Sequence, residues 1–333
     1  WEGLEKEKKW GFSISSKIKL SLANLTNSSM LVGSYTALFW CNDTSNNIND
    51  TENVTFSIID DCKEINTAGV YLQSSNIVPT SQLASDICIN ITVDDVVYDG
   101  NSYSIFNETY KTIGVYVGER NNVTIQNVNI TLSNSSTNYA ILLNYTNETE
   151  ISNSYFDNNY YHIYIKDGEN TTIKNNSFLR NVGEGIFING NLTNLTINEN
   201  IFEDVGNIDT IEFIIGDEEL NSNITIAYNF FQNSIAESGN LFFIKYSSGD
   251  RGIEIYNNTF ENNNFSLGYG IYLKDGNEHL IYNNSFINST FQGTIEVEGY
   301  TKTVWNSSIF NNFINCSSYG GSHGIIFRDS QNN

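Results

Sequence analysis

One short string recurs from Ile151 onward and restricts the fold more than any other feature of the chain. It reads ISNSYF from Ile151, IKNNSF from Ile173, INENIF from Ile197, IAYNFF from Ile226, IYNNTF from Ile255 and IYNNSF from Ile281. Its closing aromatic falls at Phe156, Phe178, Phe202, Phe231, Phe260, Phe286 and, less cleanly, Phe313, at intervals of 22, 24, 29, 29, 26 and 27 residues. Self-similarity at this period marks a solenoid, in which each repeat is one unit that buries its apolar face only against its neighbours.

Within each unit apolar and polar residues alternate, which argues for short half-buried strands over helices. Leucine-rich and helical repeats would need a Leu consensus or a 3.6-residue period, and neither is visible. A second strand follows each Phe: Ile163 with Ile165, Ile186 with Ile188, Ile271 with Leu273, Ile295 with Val297 and Ile325 with Phe327. Its distance from the Phe runs from 7 residues (163 − 156) to 12 (325 − 313), as a variable loop on one corner of a coil would produce. The expected fold is all-β, a right-handed parallel β-helix over residues 61–333 whose C-terminal coil is uncapped. Like strands of successive coils then lie about 4.8 Å apart, with Ile and Phe stacked inward. The Asn two places before each Phe (Asn176, Asn200, Asn229, Asn258, Asn284 and Asn311) is expected in a tight left-handed turn, its amide bonding along the axis as in an Asn ladder.

Composition narrows the class of protein. Acidic residues number 38 against 16 basic ones, a net charge of −22, which excludes a nucleic-acid partner, since phosphate contacts need clustered Lys and Arg. A single Pro, Pro79, excludes a collagen-like or Pro-rich rod. Aromatics at 13% are too many for a solvated tail. No apolar run approaches the roughly 18 residues of a membrane span. The chain begins at Trp1 and ends at Asn333 without a change of composition, and it reads as a piece of something longer.

The chain carries 23 Asn-X-Ser/Thr triplets, a density that fits an extracellular or cell-surface glycoprotein with covalent N-glycans. They lie at Asn24, Asn27, Asn42, Asn49, Asn53, Asn90, Asn107, Asn122, Asn129, Asn134, Asn144 and Asn147, and at Asn170, Asn175, Asn191, Asn194, Asn223, Asn257, Asn264, Asn283, Asn288, Asn306 and Asn315. The plainer reading is Asn-rich turns with no sugar attached. Four cysteines lack the grouping of a zinc site, and disulfides fit a secreted context better. Cys62 and Cys88 bracket a segment with Pro79 and Ser/Thr turns and are the favoured pair; Cys41 and Cys316 are free or paired elsewhere.

Strings such as NNVTIQNVNI from Asn121, and the IYNNSF and GIYLKDG pair, resemble the pectate-lyase-like or NosD-like β-helix repeats of secreted and surface proteins, archaeal ones especially. The stretch from Asp61 to Ile105 resembles the opening coil of such repeats. The resemblance covers residues 61–333. It implies the fold and little about function, because this architecture hosts lyases, hydrolases, epimerases, adhesins and inert scaffolds. Residues 1–60 are similar to the last strands of Ig-like domains that precede such repeats in archaeal surface proteins, with strands near Phe12–Leu22, from Ser34 and from Asn53. Sixty residues are short for a sandwich of about 100.

No catalytic or metal-ligating set is predicted. The residues after the second strand (Lys166-Asp167, Lys274-Asp275, Glu298-Gly299 and Arg328-Asp329 among them) read as solvated turns, with Lys274, Glu298 and Arg328 as a surface charge ladder. The two KDG strings lie four coils apart, roughly 19 Å, and cannot share a site. Asp94-Asp95 and Asp217-Glu218-Glu219 are the densest carboxylates, where Ca²⁺ is the ion to consider. His162, His279 and His323 read as face-lining, and Tyr164, Tyr272 and Trp305 as outward aromatics able to stack on sugars. The leading expectation is a non-enzymatic extracellular structural protein, a glycosylated subunit of a filament, appendage or surface layer. It would assemble head-to-tail with itself or with other surface proteins, and could contact extracellular polysaccharide. The alternatives are a pectate-lyase-like carbohydrate-active enzyme and a glycan-binding adhesin.

Overall fold

The computed structural model describes residues 31–42, 48–79, 86–107, 112–132, 138–181, 183–204, 210–214, 222–236, 240–245, 251–274, 278–299, 304–328 and 330–331. Asn24, Asn27, Asn134 and Asp217-Glu218-Glu219 lie outside these residues.

Three columns of parallel strands wind into one solenoid. In the coil that starts at Tyr161, the strand Tyr161–Lys174 bends at Asp167 and supplies the first and second columns, and Ser177–Leu179 supplies the third. Neighbouring coils repeat this in strict register. In the first column Ile141 pairs with Ile163 and Ile163 with Ile186; in the second Ile151, Ile173, Ile197, Ile226, Ile255, Ile281 and Ile309 align. Alternation of inward and outward side chains, the period of an extended strand, then turns these Ile residues to the interior, those from Ile141 to Ile281 being 0–1% exposed. The third column carries the Phe residues, each 0–1% exposed from Phe156 to Phe286. Their rings stack nearly parallel at centroid spacings of 5.1, 4.7, 4.7, 4.8 and 4.4 Å.

The Asn ladder is continuous. Asn176 donates both its backbone N–H and its Nδ2 to Oδ1 of Asn200, at 2.9 and 3.1 Å, and Asn200 repeats this to Asn229, Asn229 to Asn258 and Asn258 to Asn284. Each Nδ2 also donates to a main-chain carbonyl of the coil before, as Asn229 does to Ile197. The ladder therefore satisfies amides that are 1% exposed, which buried polar groups require.

Two expectations about this ladder are corrected. Its last member is Asn312, not Asn311: Asn284 donates to Oδ1 of Asn312 at 2.9 and 3.0 Å. The equivalent of Phe286 is Ile314, while Phe313 pairs with Ser285 and is 59% exposed. Nor do the ladder residues take the left-handed turn. That conformation belongs to the residue before each of them, Asn175, Glu199, Tyr228, Asn257, Asn283 and Asn311, with φ between 53° and 59°. The turn residue projects outward, and the next one can then point into the coil.

At the N-terminal end, β1 (Gly33–Asn42) and β2 (Ile48–Ile59) form an antiparallel hairpin. After β3 (Lys63–Ile65), β4 (Gly69–Gln73) runs parallel to β2, with Phe56 opposite Val70 and Ile59 opposite Gln73. The described part of residues 1–60 is thus hydrogen-bonded into the first coil, and the chain does not break into separate sheets at residue 60. Cys62 and Cys88 form a disulfide with a Cα separation of 4.5 Å between adjacent coils. Cys316 is a free thiol, half-buried. Among the described residues no helix is long and apolar enough to cross a membrane.

Candidate functional site

The outward face of the first column collects side chains that could contact a ligand. Parallel pairing places Tyr116, Leu142, Tyr164, Phe187 and Glu212 at one outward register, and further along the same column Tyr272 and Glu296. Three residues earlier on their strands, Tyr139 and Tyr161 stack at 5.1 Å, and Tyr161 meets Phe187 at 5.3 Å. Tyr164 stands edge-on to both tyrosines and 5.1 Å from Phe187. The buried Glu184 carboxylate faces Tyr161, and burial with this charge pushes the Tyr161 hydroxyl well above the ordinary phenol range.

Toward the C-terminal coils the strip becomes acidic. Tyr272 donates its hydroxyl to Glu298, and Arg328 Nε lies 3.0 Å from Oε1 of Glu296, which is 1% exposed. Burial, then the charge of Glu296, pushes the Tyr269 hydroxyl up to about 12. Tyr269 and Tyr272 pack at 4.8 Å. The expected surface ladder Lys274, Glu298, Arg328 is in register, yet the arginine's ion pair is with Glu296, two residues removed and on the strip itself. Phenols bonded to carboxylates beside exposed ring edges can exchange hydrogen bonds with sugar hydroxyls and offer apolar surface to sugar C–H groups.

Other predicted residues fall elsewhere. Asp94 accepts the Asn121 N–H at 3.0 Å and Asp95 accepts Nδ2 of Asn122 at 2.7 Å, so this acidic pair caps the next coil. Hydrogen bonds from the Asn121 backbone and then its side chain hold the Asp94 carboxyl below its usual range. Asp167, at a left-handed turn, accepts the Asn191 N–H at 2.8 Å across Gly190, where a Cβ would sit 2.4 Å from its Oδ1. Among the described residues no group of three or more His, Cys, Asp or Glu is placed to hold a metal ion. His162 and His279 do not line an outer face: both are buried, His162 beside the stacked Phe156 and Phe178 rings with its Nδ1 3.0 Å from Asn159 Nδ2. The side chains of His323 and Trp305 lie outside the described set.

Nine of the sequon asparagines occupy left-handed turns. Asn122, Asn170, Asn194, Asn223 and Asn306 stand in the turn before the second column, Asn175, Asn257 and Asn283 in the turn after it, and Asn288 in the turn after the third. In the first of these turns Asn223 donates to Asn194, Asn194 to Asn170 and Asn170 to Asn147, a second ladder at 2.8–3.0 Å on the outside of the coil.

With three parallel columns, an inward Asn ladder and a stacked core, the geometry is that of a right-handed β-helix. The chain belongs to the family described as right-handed beta helix region, whose pattern matches residues 84–260. Among solved structures it is similar to PfbA, a surface adhesin of Streptococcus pneumoniae, at 13% identity and a TM-score of 0.56, over 82% of this chain and 84% of that one. It also matches the endo-xylogalacturonan hydrolase of Aspergillus tubingensis (11% identity, TM-score 0.47, 83% and 86% covered). A third match is the A-module of the Azotobacter vinelandii mannuronan C-5 epimerase AlgE6 (10%, 0.45, 83% and 88%). At these identities the likeness concerns the fold alone. No curated protein matches the chain.

Proposed function

We propose that this chain is a non-enzymatic, glycosylated shaft of a secreted or cell-surface structure, a filament, appendage or surface layer, built around the β-helix and entered through an N-terminal Ig-like module that includes the hairpin. The observation that carries this reading is continuity: the Phe stack runs from Phe156 to Phe286 and the Asn ladder from Asn176 to Asn312, coil to coil without interruption. Like residues stacked at one register resist bending and slippage, because any shift breaks every repeat at once. A disulfide between coils suits an oxidising compartment, and the likeness to a surface adhesin points the same way. In this reading the shaft polymerises head-to-tail, and electron microscopy of the purified protein is the test. Straight rods that grow by end-to-end addition are expected; particles that stay monomeric at high concentration would sink the polymer. The mass of the protein purified from the cells that make it tests glycosylation separately.

A second reading, that the outer strip binds or acts on polysaccharide, has its own support in Tyr269, Tyr272, Glu296, Glu298 and Arg328. Affinity electrophoresis against neutral and acidic polysaccharides separates binding from indifference, and release of reducing or unsaturated ends separates an enzyme from an adhesin. Loss of such release in Glu296→Gln and Glu298→Gln would establish the enzyme.

A further inference from the structure

We propose that folding and N-glycosylation compete for the nine turn asparagines, so that these sites accept sugar only before their coil closes. The inference rests on the glycoprotein part of the reading above. It starts from the origin of the sequons. In each of these turns a left-handed Asn is followed by a residue that points inward, and then by a Ser or Thr that starts the next strand on the outside. Asn at the left-handed position and a small polar residue two places on suit this turn, although Glu199 and Tyr228 fill it in other coils, and nine of the sequons fall on it.

The same geometry closes the sites. The middle residue is core: Val123, Thr171, Leu195 and Ile224 are 0% exposed, and in the NNS and NNT sequons it is the ladder residue Asn176, Asn258 or Asn284, at 1%. At Asn122, Asn170, Asn194 and Asn223 the acceptor nitrogen is also engaged, as Asn194 Nδ2 is to Asn170 Oδ1 at 2.8 Å and Asn223 Nδ2 to Asn194 Oδ1 at 3.0 Å. The main chain is held as well, as Asn175 N–H is by Asn198 O at 3.3 Å. Transfer from a lipid-pyrophosphate-linked oligosaccharide forms the Nδ2–C1 bond, breaks the bond from C1 to the pyrophosphate oxygen, releases the lipid pyrophosphate and frees a proton from Nδ2. For that step the tripeptide must enter the transferase cleft with its amide unbonded and its third residue turned toward the enzyme. A closed coil keeps the ladder amides bonded and the middle residue in the core, so the tripeptide cannot enter the cleft until the coil opens, and opening of an internal coil disturbs the coils on both sides.

The test compares acceptors in vitro. A single-subunit oligosaccharyltransferase with its lipid-linked donor is given the folded full chain, and separately synthetic peptides spanning Asn170, Asn194 and Asn223, with glycopeptide mapping by mass spectrometry. Folded protein is expected to be modified at these three sites at least about 100-fold more slowly than the peptides, the factor set by the small open fraction. Rates within about tenfold of the peptides would overturn the inference. Ile224→Asp, which opens the coil beside Asn223, is expected to raise modification there while Asn122 stays protected; no rise at Asn223 would also count against it. The rate comparison stands whether or not the cell's own protein carries sugar, so its failure and that of the glycoprotein reading are told apart.

Discussion

The N-terminal coils and the central coils share one inward geometry but tie coil to coil by different means. From Asn176 to Asn284 the ties are amide ladders and stacked Phe rings. Between residues 62 and 132 the third column carries Ile105 and Ile130 in place of Phe, and the ladder position holds Val128, whose N–H donates to Ser154 Oγ at 3.2 Å. There the coils are tied by the Cys62–Cys88 disulfide and by a fully buried hydrogen bond from the Tyr98 hydroxyl to Gln73 Oε1 at 2.7 Å. A coil near an end has fewer neighbours to share a ladder with, and a covalent bond or a single buried pair does not depend on repetition. Backbone register alone thus holds the column geometry, and the side-chain chemistry filling it can change along the axis.

The largest expected effect breaks the central stack. Phe231→Ala removes one ring from the middle of a close-packed column and is expected to cost about 4 kcal/mol, read as a lower urea midpoint for the central coils. Next comes the N-terminal staple. Cys62→Ser with Cys88→Ser releases a loop of 26 residues and is expected to cost about 3 kcal/mol, confined to residues 63–132 and reproduced in the parent protein by reductant. A reductant that destabilised the central coils equally would erase the contrast. Asn229→Ala leaves the N–H and Nδ2 of Asn200 without their shared acceptor, at an expected cost of about 2 kcal/mol, measurable by the same titration.

The smallest effect concerns pH. Burial pushes the His162 imidazole down to about 3, so the folded protein keeps it neutral where an unfolded chain takes up a proton below about 6.5. The unfolded state then binds more protons between these values. The contribution is complete above pH 6.5 and is lost as pH falls toward 3. His162→Leu is expected to flatten the fall in thermal midpoint over that window; an unchanged slope would assign it to other groups.

Much of this architecture was legible because a solenoid writes its register into the sequence. The Phe column, the Ile alternation and five of the six ladder asparagines follow from the repeat alone, since like residues must stack on like. The slip at the last coil had a readable remedy. IFNNFI from Ile309 aligns with IYNNSF from Ile281 place by place, which sets Asn312 beneath Asn284; the aromatic at Phe313 drew the register one residue too early. The left-handed residue lies one position before the ladder residue; Asn occupies both places in NNS and NNT, and only the main-chain angles tell them apart. The outer strip was harder to see. Tyr164 and Tyr272 are legible as outward, but Tyr139, Tyr161, Phe187 and Glu296 fall on one strip only through pairing between coils whose spacing varies from 22 to 31 residues, and no local motif records it. The buried histidines escaped for a similar reason, since a polar side chain inside a coil is visible only once its register is known.

Hydrogen exchange of the full chain tests most directly the claim that register-matched ladders make the shaft one continuous body. Strand amides from Tyr139 to Glu298 are expected to exchange slowest and as a single block, with those of residues 63–132 faster and faster still after reduction. Central coils that exchanged one by one, each at its own rate, or that were less protected than the N-terminal coils, would contradict it.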